Sequence, residues 1–359
     1  MTPRERILAI LGREPVDRLP VDIWYVPEVE RMLHEHFGTR DALPLYHEMG
    51  LDKIVWFSPV YPATDARPPT GRTSTGEPPR SRWGTPLREM KAGVATYQEY
   101  AGAPLSSYRS PASLDDYPFW PDPDRFDYGG MLNTARVASR DFVVMGPWVS
   151  LFEVYCEMRG LQQSLLDLAR DPIYVDAVLD RIEQIQTQML RRFLNDAAKH
   201  LDLVFVSDDL GSQTGLLISP RMWDRFFKDR LKRWCDLIHG YGLKVFFHTD
   251  GAAEPLLPRL IDAGIDVLNP IQHACPGMDC AALRAKYGDR LIFHGGVDNQ
   301  RILPFGTADD VRAETRACMR TLGTGRRGYI VCSCHNVQAG TPLENVLAMV
   351  DTVKKEGAF

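Results

Sequence analysis

Short apolar runs bounded by turn residues recur eight times along this chain, at Pro20–Trp24, Lys53–Phe57, Phe142–Gly146, Leu203–Ser207, Lys244–His248, Asp266–Asn269, Leu291–His294 and Tyr329–Cys332. Between most of them lie stretches whose apolar residues return every three or four positions: Pro172–Ala198, Pro220–His239, Ala253–Ala263, Met278–Tyr287, Ala308–Leu322 and Leu343–Lys355. The short runs read as buried strands, and the helical rhythm reads as helices packed on them. Strands separated by helices pair in parallel through right-handed crossovers, so eight units predict closure into one (β/α)8 TIM barrel domain of the α/β class. An open doubly wound sheet is the alternative, but the glycine-rich phosphate loop expected after its first strand is missing. Thr2-Pro3-Arg4-Glu5 predicts a capped helix start, with the helix running to about Gly12.

One stretch breaks the rhythm. Residues Ser58–Asp141 are rich in Pro, Gly, Ser and Thr, as in Arg67-Pro-Pro-Thr-Gly and Gly76-Glu-Pro-Pro, with weak alternation around Trp83–Met90 and Val94–Tyr100. This predicts a long insertion after the second strand that carries a β-hairpin and lies over the barrel mouth. Bulk properties narrow the partners. A net charge of -5 without a Lys/Arg stripe argues against nucleic acid. Apolar runs fall far short of the ~20 residues that cross a bilayer, and the N-terminus opens in a helical pattern, so a cytoplasmic protein without a membrane is expected. Seven cysteines without scaffold spacing fit reduced thiols.

In such a barrel the chemistry sits where strands end. Tyr25 follows the first run, Trp148 and Glu153 the third, Asp208 and Asp209 the fourth, and His248 and Asp250 the fifth. Gln272 and His273 follow the sixth, His294 and Asp298 the seventh, and Cys334, His335 and Asn336 the eighth. So many polar groups at one end are costly unless function uses them. Side chains two apart on extended backbone point the same way, so His248 and Asp250 can converge on one ion, and His335 can complete a three-ligand site for a divalent metal such as zinc. The plainer alternative makes Asp250 a helix cap and His248 a hydrogen-bonded core residue. The Asp208-Asp209 pair can share a proton, hold a cation or orient a substrate hydroxyl, or one member can cap a helix or pair with an arginine. His273 and His294 are each either structural or catalytic. Cys332 reads as core, and Cys334 as a further ligand candidate.

Met1-Thr-Pro-Arg-Glu-Arg-Ile-Leu-Ala-Ile-Leu, Asp208-Asp-Leu-Gly, His248-Thr-Asp-Gly, Ala263-Gly-Ile-Asp-Val-Leu-Asn-Pro-Ile-Gln272, Gly295-Gly-Val-Asp298 and Gly340-Thr-Pro-Leu-Glu-Asn-Val346 together resemble the uroporphyrinogen decarboxylase superfamily. The resemblance covers nearly the whole chain. It implies a barrel with its site at the C-terminal mouth and one of two chemistries: cofactor-free decarboxylation of porphyrinogen acetates, or zinc-dependent methyl transfer involving a corrinoid protein. The decarboxylases carry an Arg-Gln-Ala-Gly-Arg-type motif after the first strand, where this chain has Asp22-Ile-Trp24-Tyr25-Val-Pro27-Glu28. The methyltransferase branch has His-x-Cys after the fifth strand and a cysteine after the last. Here His248 matches the histidine, Asp250 replaces the first cysteine, and His335 falls near the second, beside Cys334.

The resemblance therefore implies a metal-dependent methyltransferase that passes a methyl group from a small donor, such as a methyl ether, to a corrinoid on a separate protein. No corrinoid-binding Asp-x-His-x-x-Gly pattern occurs in the chain itself. His248, Asp250 and His335 would hold the metal, with Glu153 or Cys334 as a further ligand. Asp208, Asp209, His273 and His294 are the catalytic candidates, with either histidine as a proton shuttle. Tyr25, Trp148, Gln272, Asp298 and Asn336 would surround the substrate. A His/Asp/His set is harder than one with two thiolates and leaves the ion more Lewis-acidic toward oxygen. The competing expectations are a lyase or decarboxylase of a small non-porphyrin acid, and a non-enzymatic corrinoid or tetrapyrrole binder.

Overall fold

The computed structural model describes residues 1–61, 79–93 and 95–358. In chain order its strands are β1 (Ile54–Trp56), β2 (Leu87–Ala92), β3 (Ala95–Tyr100), β4 (Val143–Val149), β5 (Leu203–Ser207), β6 (Lys244–His248), β7 (Val267–Asn269), β8 (Ile292–Val297) and β9 (Tyr329–Ser333). Seven of them form one curled sheet, every neighbour parallel, in the order β1-β4-β5-β6-β7-β8-β9. The remaining two, β2 and β3, form an antiparallel hairpin. Much of the Pro/Gly-rich part of the expected insertion, residues 62–78, lies outside the described residues.

Alternation along each strand sorts side chains to two cores. In β6, Val245 and Phe247 face the helices, while Phe246 joins Met145, Phe205, Val267, Ile292 and Ile330 on the inner side. The helix Pro3–Leu11, with Thr2 and Glu5 forming a capping box, adds Ile7, Ile10 and Leu11 to the inner core. Arg4 ties this helix to Asp202, just before β5, at 2.7 Å, so the helix stoppers the amino end of the sheet. The carboxyl end is left for chemistry. No helix among the described residues is long and apolar enough to cross a membrane.

The observed elements differ from the expected ones in three places. The first run, Pro20–Trp24, is not a strand; it makes single parallel bridges, Val21 to Val331 and Tyr25 to Val337. Pro20 has no N–H to give, and the Asp22 carboxylate takes the N–H of Ile23 at 2.7 Å, which removes ladder donors. The third and seventh runs extend further than expected, so Trp148 lies within β4 and His294 in the middle of β8. The helix expected over Pro220–His239 breaks at Phe227 into Pro220–Phe226 and Lys228–Gly240.

Candidate metal centre

Parallel register sets Ser207, His248 and Asn269 side by side at the carboxyl ends of β5, β6 and β7. The buried imidazole of His248 stacks on Trp24 with 6.2 Å between ring centroids, meets Phe205 edge-on at 5.8 Å, and faces the ring of His335 at 5.6 Å. Asp250 lies between the two histidines: its Oδ1 is 3.8 Å from His248 Nε2 and its Oδ2 3.9 Å from His335 Nε2. One donor atom from each of the three residues lies within 4.8 Å of the others. Tetrahedral zinc with bonds of about 2.0–2.2 Å spaces its ligand atoms roughly 3.4 Å apart, so small side-chain rotations bring this set onto an ion.

Two further observations fit a cation. Asp250 Oδ1 is buried without a hydrogen-bond partner among the described residues, an arrangement that costs free energy unless a positive charge compensates it. Burial also pushes the His335 imidazole below its ordinary value, toward the neutral form that ligates metal. Asp209 lies at the same point, its Oδ1 3.7 Å from His248 Nε2 while accepting the N–H of Asp250 at 3.0 Å.

Backbone contact fixes where Asp250 stands. Gly251 has φ +78°, and a Cβ there would lie 2.5 Å from the carbonyl oxygen of Ser212. A Cβ on Gly211 would lie 2.5 Å from the carbonyl oxygen of Asp250. The two Asp-containing turns thus meet backbone to backbone, and only glycines permit it. Gln272 clamps the turn from the next strand end, its Oε1 accepting the Gly251 N–H at 2.6 Å.

Three cavities meet here. The largest, about 670 Å³, is bounded by His248, His335, Asp209, Glu153 and Ser207 and walled by aromatic side chains, among them Trp24, Trp56, Phe57, Trp148 and Phe205. Tyr25 and Asn336 also line it. A second, about 580 Å³, lies against Asp250 and His335 and is lined by amides, including Gln213, Gln272, Asn299, Gln300 and Gln338. A third, about 440 Å³, shares Trp148, Glu153 and Asp209 with the first. Glu153 receives the hydroxyl of Ser207, and burial with the nearby carboxylates of Asp209 and Asp208 raises its pKa to about 8.

Other candidates stand elsewhere. Asp208 turns away from the cavities: its Oδ1 accepts the Ser150 hydroxyl at 2.8 Å and the N–H groups of Leu151, Phe152 and Glu153, capping the helix Phe152–Arg159. Asp298 folds its own turn, accepting from the N–H groups of Gln300 and Arg301. His273 is paired with Glu314 at 2.6 Å, beside Cys318 and outside the three cavities. The Cys334 thiol donates to the carbonyl of Ile271 at 3.2 Å and so does not join the His248 group. His294 is fully buried and bonded on both nitrogens, Nε2 to Asp22 at 3.0 Å and Nδ1 to Asn269 at 2.8 Å, which leaves it no free edge for a shuttle.

Asp22, Lys53 and Asn269 also belong to this network, although the pattern of polar residues after strand ends does not point to them. Asp22 is fully buried and paired with Lys53 Nζ at 2.8 Å. Although Asp22, His294 and Cys332 also cluster, the lysine already supplies their cation. A charged residue inside each of two apolar runs was the available signal. Lys53 and the His294 bond hold the Asp22 carboxyl down to about 2 against its burial, from an ordinary 3.8. The pair's stabilisation is therefore complete above about pH 4 and lost as pH falls through about 2, a change of about 2 kcal/mol. Denaturant unfolding of the protein across that window should show the loss, and the Asp22→Asn variant should lack this part of the slope. An identical slope in the variant would assign the acid sensitivity to other carboxylates.

A curled parallel α/β sheet that gathers polar side chains at the carboxyl ends of its strands defines an enzyme scaffold of the TIM-like kind. The chain belongs to the uroporphyrinogen decarboxylase family: residues 106–356 match the family described as Uroporphyrinogen decarboxylase (URO-D). Curated relatives include the uroporphyrinogen decarboxylases of Chromohalobacter salexigens, 22% identical over 97% of this chain and 96% of the relative, and of Anaeromyxobacter dehalogenans, 23% identical over 98% and 99%. Among solved structures the chain is similar to a methyltransferase from Methanosarcina mazei, with 19% identity, a TM-score of 0.67 and 99% of both chains covered, a likeness of fold.

Proposed function

We propose that this protein is a metal-dependent methyltransferase that moves a methyl group from a small aryl methyl ether to a corrinoid carried by a separate protein. The observation that carries the reading is the convergence of His248, Asp250 and His335, with an unpartnered Asp250 oxygen, beside an aromatic-walled cavity. A divalent ion, zinc by preference, would supply Lewis acidity toward the donor's ether oxygen. The chain's own residues supply the rest. Trp24, Trp56, Phe205 and Trp148 offer flat apolar faces that suit an aromatic ring and exclude water. An aryl oxide, with a pKa near tyrosine's value of about 10, leaves far more readily than an alkoxide. Glu153, its pKa raised to about 8, holds a proton near neutrality for the departing oxygen. In this reading the segment 20–25 is the eighth stave of the barrel, and the hairpin of the insertion lies over the mouth, an arrangement supported by the bond from the Tyr97 hydroxyl to Gln338 at 2.9 Å.

The relatives' names favour a second reading, decarboxylation, and charge argues against the porphyrinogen version of it. Lys53 is the one lysine or arginine among the described residues lining the main cavity, and Asp22 occupies it. Substrate acetates in that cavity would therefore meet Glu153 and Asp209 without counter-charge. Incubation with a reduced corrinoid protein and a panel of aryl methyl ethers should give the absorbance change of corrinoid methylation for at least one donor. Uroporphyrinogen should give no coproporphyrinogen. Carbon dioxide release as the sole activity, or demethylation without any corrinoid, would replace this reading with the lyase.

A further inference from the structure

We infer that Asp22, His294 and Asn269 are positioning residues that fix the proton of His248 on Nδ1 and so keep its Nε2 lone pair open to the metal. The inference rests on reading His248 as a ligand, and the polarity of four successive hydrogen bonds carries it. Asp22 receives Lys53 Nζ and the Ile23 N–H on Oδ1, at 2.8 and 2.7 Å, and the Trp24 indole N–H on Oδ2 at 3.0 Å. Surrounded by donors, it is a charged acceptor, so His294 Nε2, 3.0 Å from Oδ2, must carry a hydrogen. His294 is fully buried and Lys53 already balances the charge of Asp22, so no anion is left to hold a second proton on the ring; a neutral imidazole has only one N–H, and its Nδ1 accepts from the Asn269 amide nitrogen at 2.8 Å.

That bond fixes which way the amide faces. Asn269 Oδ1 then points at His248 Nδ1, 2.6 Å away, and an oxygen there can only accept. His248 must carry its proton on Nδ1, while Nε2 looks toward Asp209 and Asp250 at 3.7 and 3.8 Å. Asp22, Asn269, His248 and His294 are all buried, which denies water the chance to take any partner's place. The opposite polarity, with the amide nitrogen toward His248, would put a hydrogen on Nε2 and close the ligand position. Lys53, Asp22, His294 and Asn269 thus do for His248 what a single carboxylate or carbonyl does for many metal-bound histidines, over a longer path.

Nitrogen-15 NMR of the metal-free protein labelled at histidine tests the polarity directly. His248 Nδ1 and His294 Nε2 should show the shift of a protonated ring nitrogen, and His248 Nε2 that of a bare one. A protonated His248 Nε2 overturns the inference. Zinc affinity, measured with the metal ion alone against a chromophoric chelator, gives the second arm. Asn269→Leu should weaken zinc about 10- to 100-fold, whereas Asn269→Asp, whose carboxylate still accepts from Nδ1–H, should retain most of it. Equal losses in both variants would indicate a structural effect and overturn the inference, as would wild-type affinity in Asn269→Leu. His248→Ala separates the two claims: if it binds zinc fully, the metal reading itself fails, and if it loses zinc while Asn269→Leu does not, only the positioning role fails.

Discussion

If His248 is a ligand as proposed, replacing it by alanine is expected to abolish zinc binding and methyl transfer together, while leaving the protein folded. Supporting groups around a metal ligand are typically worth about 10- to 100-fold in affinity, so deleting the ligand itself should cost more than about 100-fold. The two proposed ligands that remain, Asp250 and His335, are part-exposed, with 32% and 37% of their side chains accessible, and would have to compete with water for the ion. The cavity wall should survive, because Trp24 also packs on Phe205, Phe246 and His294. Elemental analysis of the purified variant, alongside its thermal unfolding curve, is the measurement. Full occupancy in a folded His248→Ala protein would put the metal elsewhere, and full activity with the metal gone would remove it from the reaction.

A second large effect is expected from Gly251→Ala, one methyl group placed outside the three cavities around His248 and Asp250. Its φ of +78° is left-handed, which costs an L-residue roughly 1–2 kcal/mol. The added Cβ must also displace the Ser212 carbonyl, 2.5 Å away, and the Gly211 carbonyl carbon, 2.8 Å away. Overpacking of this kind typically costs about 1–3 kcal/mol, and backbone atoms cannot rotate aside as a side chain can. A total of about 2–5 kcal/mol in unfolding free energy is expected. Relief of the clash moves Asp250, the adjacent residue, so zinc affinity should fall as well. A wild-type denaturation midpoint would refute the stability claim, and unchanged zinc binding would show that Asp250 is not held by this turn.

The alternation of apolar runs and helical stretches made the α/β class and most strand positions legible, because a parallel sheet buried on both faces writes itself as continuous Val, Ile, Leu and Phe. Strand alternation suggests that His248 and Asp250 share a side, but β6 ends at His248, and it is the contact of the Gly211 and Gly251 turns that sets where Asp250 stands. Where local rules competed with tertiary ones, the reading slipped. His294 looked like a strand end because Gly295-Gly296 resembles a turn, yet those glycines continue β8. Asp208 and Asp209 are equivalent on paper, and only the helix docking above β4 decides that one caps and the other faces the cavity. Asn269, Asp22 and Lys53 were invisible as a group, since nothing in a linear sequence reports that three separate runs bring an amide, a carboxylate and an ammonium into one buried line.

That buried line also sets a clock on assembly. Asp22 and His294 are 272 residues apart, and the segment bearing Asp22 is held by residues 331 and 337, with Leu19 bonded to the carbonyl of Gly357 at 2.9 Å. At ribosomal speeds of about 5–20 residues per second, the delay between making the carboxylate and making its histidine is on the order of tens of seconds. Through that interval the growing polypeptide lacks the bridges from Val21 and Tyr25 to residues 331 and 337 and the bond from His294 to Asp22. On the proposed reading of His248, Asp250 and His335 as ligands, zinc loading waits for β9 and His335, and a translation product stopped before β9 should be unable to retain zinc.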